Sequence, residues 1–208
     1  MKTINFLTLL TLFIGFSSCN NDDDSTTLLT VESELISNLH APQEGGQGNP
    51  VSGEFTKFNF ALGQTTTSDT DWDIAFRGTT IIVNGGVSSG GVDEPVRNGE
   101  AGAYIATGTL GSVTSIDTSL IIQDSATGFA IPTGSDNGWY NYAGPPTHII
   151  SPIAGRILVF RTHDGKYAKI EILSYYKDAP ANPDAFVDED GYYTFNYVYQ
   201  PNEGVPSF

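Results

Sequence analysis

Residues 156–176 constrain the fold of this chain more than any other segment. Their sequence, RILVFRTHDGKYAKIEILSYY, places two strand-forming runs on either side of an Asp164-Gly165 turn. Asp-Gly between alternating apolar runs is a strong signal for a tight antiparallel hairpin. In the second run, apolar side chains alternate with Lys169 and Glu171, which predicts one buried face and one face in water.

Other short runs with a period of two point the same way. Residues 192–200, YYTFNYVYQ, predict a last strand with an aromatic inner face, and residues 71–76, DWDIAF, place Trp72, Ile74 and Phe76 on one face. The 23 glycines and 11 prolines punctuate these runs and disfavour long helices. The predicted fold is all-β: a curved antiparallel sheet domain with long glycine-rich loops, a C-terminal hairpin and a final aromatic strand.

Two segments between the predicted strands have weaker patterns. Residues 84–102, NGGVSSGGVDEPVRNGEAG, show no apolar periodicity and predict a long loop, either a lid or a disordered insertion. Residues 119–124, SLIIQD, are apolar enough to predict a core segment, as a short strand or a single helical turn.

The N-terminus is typical of an exported lipoprotein. Lys2 precedes an apolar run over residues 4–16, and FSSC ends at Cys19, which is the only cysteine. A lone cysteine cannot form an intramolecular disulfide, so we interpret Cys19 as a lipidation site; the alternative is a simple secretion signal. The predicted division is a signal peptide over residues 1–18, a lipidated cysteine and acidic or polar tether over 19–50, and one β domain over 51–208.

The charge balance limits the partners. The formal net charge of −15 argues against nucleic acid and against adhesion to anionic lipid through basic residues. Attachment to a membrane would then depend on the lipid anchor alone. The acidic run NNDDD after Cys19 resembles signals that send lipoproteins to the outer face of the outer membrane, so a surface location is predicted.

Three motifs together resemble the HmuY family of surface lipoproteins. These are TDWDIAFRGTTIIVNGG (70–86), RILVFRTHDGKYAKIEILSYYKD (156–178) and YYTFNYVYQP (192–201), and the resemblance covers roughly residues 52–200. It implies an all-β protein that binds haem, with two axial His or Met ligands to the iron, and that passes the haem to an outer-membrane receptor.

The family's axial ligands do not transfer to this chain by position. One ligand of the family lies a few residues after a Gly-Trp pair, here Gly138-Trp139, and the aligned position is Gly144, which has no side chain. The other would fall within residues 119–138, which contain neither His nor Met. The mature chain keeps three candidate nitrogen donors, which are His40, His148 and His163.

A haem site could be rebuilt from His148 and His163. If residues 148–151 pair with 156–159, His148 lies opposite Val159, and His163 follows about 13 Å along the strand. Against this, His163 flanks a turn, where a solvated polar role is ordinary, and His148 could be structural. His40 is assigned to the tether.

Tyr140 and Tyr142 lie near the family's ligand position. They could stack on a porphyrin or ligate iron as phenolates, although a tyrosine pKa near 10 opposes ligation; ordinary aromatic packing is the alternative. The acidic residues 178–193 are predicted to form a solvated surface loop.

The functional prediction is capture of haem or a related tetrapyrrole without enzymatic activity. The sequence has no G-x-S-x-G, H-E-x-x-H, P-loop or dinucleotide motif. Two alternatives stay open: a β-domain module for glycan or peptide that has lost haem ligation, and a ligand-free interaction lipoprotein.

Overall fold

The computed structural model describes residues 27–46 and 48–208. Within them the chain is nearly all β, with one short 3₁₀ helix at Thr118–Leu120. The strands are β1 (Glu32–His40), β2 (Glu44–Gly46), β3 (Asn49–Ser52), β4 (Thr56–Asn59), β5 (Gln64–Thr66), β6 (Ile74–Arg77), β7 (Thr80–Val83), β8 (Gly102–Thr107), β9 (Tyr140–Tyr142), β10 (Ile150–Pro152), β11 (Arg156–Arg161), β12 (Tyr167–Tyr176) and β13 (Asp190–Gln200).

Two open antiparallel sheets form the body of the domain. The larger has the order β1-β13-β12-β11-β8 and the smaller has the order β5-β4-β6-β7, while β2–β3 and β9–β10 are separate hairpins. Strands β11 and β12 pair antiparallel around the Asp164-Gly165 turn, with Phe160 opposite Ala168. The predicted all-β antiparallel fold, its C-terminal hairpin and its final strand are confirmed.

Aromatic side chains fill the space between the two sheets. The inward residues of β13, spaced by two as the sequence predicts, are all buried. Several ring pairs join the sheets, including Phe58–Phe195 at a centroid distance of 5.6 Å, Phe60–Phe160 at 5.6 Å and Phe76–Tyr193 at 4.7 Å. Rings at these separations contribute both apolar burial and favourable edge contacts, so this layer is the main core.

The outer face of the larger sheet is covered around Lys169, contrary to the predicted wet face, and becomes exposed farther along β12 at Leu173. Lys169 is only 3% exposed. Its Nζ donates to the carbonyl oxygens of Leu110 and Val113 at 2.7 Å each and lies 4.4 Å from the Phe208 ring centroid. The segment after β8 and the C-terminus therefore cover this part of the face, a long-range arrangement that an alternating pattern cannot reveal.

The smaller sheet has a second packed face as well. Trp72 is fully buried, but it packs with Ala75 and Ile82 rather than with the main core that holds Ile74. The prediction of a shared face was wrong because β6 begins only at Ile74. Trp72 lies before the strand, and its Nε1 donates to the carbonyl oxygen of Asp69 at 3.2 Å.

A buried charge cluster fixes the long loop between β7 and β8. Arg97 forms ion pairs with Glu94 and with Asp124, the latter at 3.0 Å, and all three side chains are almost wholly buried. The Asp124 carboxylate also accepts from the backbone amide of Val83 at 3.0 Å. The loop is irregular, as predicted, and it is packed onto the domain rather than inserted without contacts.

The segment 119–124 contributes to the fold through its aspartate rather than its apolar residues. Leu120 and Ile122 are exposed, so the prediction that this segment is apolar core was wrong for them. A 3₁₀ turn is followed by isolated bridges from Ile122 to Ala103 and from Asp124 to Gly86, and the Asp124 side chain points inward.

Strand β1 lies within the stretch predicted to be tether. It pairs with β13 from Glu32 opposite Tyr199 to His40 opposite Tyr192 and forms an edge of the larger sheet. The folded part thus begins before residue 51, because this polar segment pairs with β13, a strand that lies far along the chain. The predicted signal peptide and Cys19 lie outside the described residues. Across residues 27–46 and 48–208, no helix has the length and apolar character needed to cross a bilayer.

Candidate functional site

A cleft of about 560 Å³ opens where the β9–β10 hairpin meets the end of β1 and the start of β13. Its volume is within the range of small-molecule sites. The lining is mixed, with aromatic and polar side chains that include His40, Gln43, Tyr140, Tyr142, Tyr175 and Asp190. Burial raises the pKa of the Tyr175 hydroxyl, so this part of the lining is a neutral phenol.

The β9–β10 hairpin places His148 beside this cleft. Tyr142 pairs with Ile150, and Tyr140 pairs with Pro152. The predicted pairing of residues 148–151 with 156–159 was wrong, because both edges of β11 are already occupied by β8 and β12. His148 consequently lies in the loop that joins β9 to β10.

This loop holds His148 in an uncommon backbone conformation. Its φ is 56°, in the left-handed region that few non-glycine residues adopt. The His148 amide donates to the carbonyl oxygen of Gly144 at 2.8 Å, and the Ala143 amide donates to that of Ile149 at 2.9 Å. Backbone conformations of this kind are common at functional sites, and the His148 imidazole lies against Tyr142.

The imidazole of His148 keeps one nitrogen uncommitted. Its Nδ1 is hydrogen-bonded to the hydroxyl of Tyr142, and no hydrogen bond among the described residues uses its Nε2. When Nδ1–H donates to the phenol oxygen, Nε2 carries the lone pair that a metal requires. A polar partner on the second nitrogen is the usual way in which a ligating histidine is oriented.

The two predicted tyrosines differ in their environment. Tyr140 is buried, receives a hydrogen bond from the Thr79 hydroxyl at 3.4 Å and packs on Trp139 with centroids 5.0 Å apart. Tyr142 is 41% exposed. Tyr142 is therefore the tyrosine whose ring a ligand can reach.

His163 occupies a different environment from the one predicted. Its Nδ1 lies 2.7 Å from Asp73 Oδ1, and its Nε2 lies 3.3 Å from Asp71 Oδ1. The hydrogen bond to Asp73 raises the pKa of His163. Asp73, His163 and Asp164 form the one cluster in the described part of the chain whose ligand atoms are close enough to share a metal. With both ring nitrogens engaged by carboxylates, this histidine has none to offer iron.

The structure does not bring His148 and His163 into one site. His163 precedes the first residue of β12, whereas the His148 loop lies near its last residue, since the Ile150 amide donates to the Tyr176 hydroxyl at 3.0 Å. A strand of ten residues is roughly 30 Å long.

The sequence did not predict that His40 and Phe186 would lie in this region. His40 lines the cleft and stacks on Tyr192, with centroids 4.4 Å apart, although the sequence assigns it to the tether. Phe186 lies in the acidic loop after β12, with its ring 5.7 Å from the His148 ring. The only sequence signal for Phe186 is an apolar Phe-Val pair between acidic residues.

The side chains around the cleft include imidazole nitrogens of the kind that haem iron accepts. His148 Nε2 is available, and Tyr142 and Phe186 supply aromatic surface beside it. The paired ligation by His148 and His163 is not supported, because His163 lies far away and is engaged by carboxylates. The donor set beside the cleft is therefore chemically compatible with haem.

The solved structures similar to this chain include three of low identity. An apo HmuY analog of Tannerella forsythia is 16% identical, with 84% of this chain and 99% of that chain covered and a TM-score of 0.49. A candidate lipoprotein of Bacteroides fragilis is 16% identical, with 83% and 92% covered and a TM-score of 0.48. A candidate HmuY-like haem-binding protein of Bacteroides vulgatus is 15% identical, with 83% and 93% covered and a TM-score of 0.39.

Comparison with curated proteins gives no match. The family model described as HmuY protein matches residues 52–197, well over half of the chain. This match covers β4 to β12, including the β9–β10 hairpin, and most of β13, but not the edge strand β1. The chain belongs to the HmuY family.

Proposed function

We propose that this protein binds haem or a related tetrapyrrole, and that His148 is the axial ligand to the iron. The observation that carries the proposal is the hydrogen bond between Tyr142 and His148 Nδ1, which orients the ring and leaves Nε2 uncommitted. The arrangement needs no catalytic group, so the protein is proposed to be a binding protein rather than an enzyme.

The position of His148 supports this role. The family resemblance gives the axial ligand to the position of Gly144, and the His148 amide donates to the Gly144 carbonyl oxygen at 2.8 Å. His148 lies four residues after Gly144 in the sequence. The turn closed by this hydrogen bond brings the two residues close together in the same loop.

The chemistry of a bound haem would come from its iron, which accepts the lone pair of an imidazole. The residues of this chain would hold and shield the group. Tyr142 would fix the tautomer and the ring orientation of His148, and the cleft beside them would exclude water from part of the ligand.

A haemin titration followed by absorbance tests the proposal. The purified protein is expected to give a saturable sharp Soret band, and His148→Ala is expected to lose that band. His163→Gln is the matched control, because it removes a histidine at the far end of β12 and should bind haemin as the native protein does while circular dichroism confirms folding.

Two outcomes would contradict the assignment. Unchanged haemin binding by His148→Ala would exclude His148 as the ligand, and the same titration on His40→Ala would then test the other histidine at the cleft. Absence of saturable binding at micromolar protein would exclude haem itself.

The polar part of the cleft favours a second candidate function, a binding module for glycan. Gln43, Ser135 and Asp190 line the same cleft as the exposed ring of Tyr142, and an aromatic ring among hydrogen-bonding groups suits a sugar. Under this alternative, a glycan array would show binding that Tyr142→Ala removes and His148→Ala leaves intact.

We further propose that Cys19 anchors the protein by lipid to the outer membrane, with the β domain at the cell surface and an outer-membrane haem receptor as partner. The support is the N-terminal sequence and the family membership. Metabolic labelling with an alkyne fatty acid should mark the native protein but not Cys19→Ala, and protease added to intact cells should degrade it. A labelled Cys19→Ala variant would contradict the anchor.

A further inference from the structure

Phe186 is a large apolar side chain that the fold leaves in solvent beside the candidate ligand. It is 72% exposed, and the adjacent Val187 is 78% exposed. Both lie in the loop between β12 and β13, where most neighbours are acidic or small. Large exposed apolar side chains that are held in place commonly mark a binding surface.

The loop is built to hold Phe186 outward. The Asp184 carboxylate accepts from the Phe186 amide at 2.9 Å, and the Asp188 carboxylate accepts from the Asp184 amide at 2.8 Å. The Asp184 carbonyl oxygen accepts from the amides of Val187 and Asp188 at 3.0 and 2.8 Å. These bonds close a compact turn, so the backbone that carries the ring has little conformational entropy left to lose on binding.

The orientation of the two rings identifies the kind of ligand. The Phe186 ring stands at 86° to the His148 ring, with centroids 5.7 Å apart. An imidazole that ligates haem iron lies perpendicular to the porphyrin plane, because the metal is in the plane of the imidazole ring. A phenyl ring perpendicular to that imidazole can therefore lie parallel to the porphyrin, which is the geometry for face-to-face packing.

We propose that Phe186 is the platform on which one face of a tetrapyrrole rests, and that the site consequently also accepts iron-free tetrapyrroles. This inference rests on the proposed function. It goes further because packing on Phe186 requires no metal, whereas ligation by His148 does. Phe186 selects ligands that have a flat apolar ring system, and His148 makes the site bind those that carry iron more tightly.

The test is a pair of saturation titrations, with protoporphyrin IX followed by fluorescence and with haemin followed by absorbance. Phe186→Ala is expected to weaken the binding of both by roughly tenfold. His148→Ala is expected to weaken haemin alone. Val96→Ala is the matched control, since it truncates another exposed apolar side chain on a different loop and should change neither affinity.

The outcomes separate the two claims. Haemin binding without protoporphyrin IX binding, or equal binding by Phe186→Ala, overturns the platform and leaves the haem proposal standing. Protoporphyrin IX binding that depends on Phe186, together with a haemin spectrum unchanged by His148→Ala, supports the platform and overturns the axial role of His148. Absence of binding to either compound overturns both.

Discussion

Asp73 Oδ1 accepts two hydrogen bonds from His163, one from the backbone amide at 2.9 Å and one from Nδ1 at 2.7 Å. Its other carboxylate oxygen accepts from the Phe60 amide at 2.7 Å. The His163 carbonyl oxygen in turn accepts from the Glu100 amide at 3.0 Å. One side chain, Asp73, thereby joins the hairpin turn of the larger sheet to the smaller sheet, and His163 links both to the end of the long loop.

This contact predicts a pH-dependent stability. The hydrogen bond to Asp73 and the nearby carboxylates of Asp73, Asp164 and Asp71 raise the pKa of His163 despite partial burial. Because the folded pKa lies above the unfolded value of about 6.5, the stabilisation is complete below that pH. It is lost as pH rises through the folded pKa.

The measurement is the free energy of unfolding by urea from pH 5.5 to 9. His163→Gln should lower the free energy of unfolding by about 1 kcal/mol at pH 6. In this variant the free energy of unfolding should also fall less as the pH is raised. His40→Gln removes a histidine elsewhere and should keep the decline. A native profile without that decline would contradict the role given to His163.

The Arg97 cluster predicts a large stability loss on removal of its cation. Arg97→Met leaves the buried carboxylates of Glu94 and Asp124 without their paired cation, which should cost about 3–5 kcal/mol. Arg97→Lys should recover part of this loss, and so keeps the prediction testable if the methionine variant fails to fold. The surface pair of Arg161 with Glu100 provides a control, since Arg161→Met should cost less than about 1 kcal/mol. Equal effects at the two sites would be inconsistent with this account.

Lys169 gives a second buried cation to test. Lys169→Met removes the donor to the carbonyl oxygens of Leu110 and Val113. Burial disfavours the charged ammonium group and lowers the pKa of Lys169. Lys169→Met also removes this desolvation cost, so a net loss of only about 1–2 kcal/mol in the free energy of unfolding is expected. Chemical denaturation measures it, with the exposed Lys177→Met expected within about 0.5 kcal/mol of native. A more stable Lys169→Met variant would mean that the two hydrogen bonds do not offset the desolvation of the ammonium group.

Tyr142 is expected to act through the orientation of His148. Tyr142→Phe keeps the ring and removes the hydroxyl that binds Nδ1, so haemin affinity should fall by about tenfold or more while the affinity for protoporphyrin IX stays close to native. Isothermal titration with both ligands separates orientation from packing. A parallel loss with both ligands would instead assign Tyr142 to direct contact with the porphyrin.

Local patterns in the sequence determined the class of the fold and several of its strands. The Asp164-Gly165 turn and the flanking strand-forming residues specify β11 and β12, because turn chemistry and side-chain period act over a few neighbours. The period of two in residues 192–200 similarly specifies the aromatic inner face of β13.

Only the tertiary structure decided which of these strands became neighbours and which polar groups became buried. The register of β9 with β10, the recruitment of β1 to an edge and the burial of Lys169 depend on contacts between residues far apart in sequence. The candidate site follows the same rule. The sequence names His148 and Tyr142 as candidates, whereas the turn that joins them and the placement of Phe186 beside them exist only once the hairpin and the acidic loop pack together.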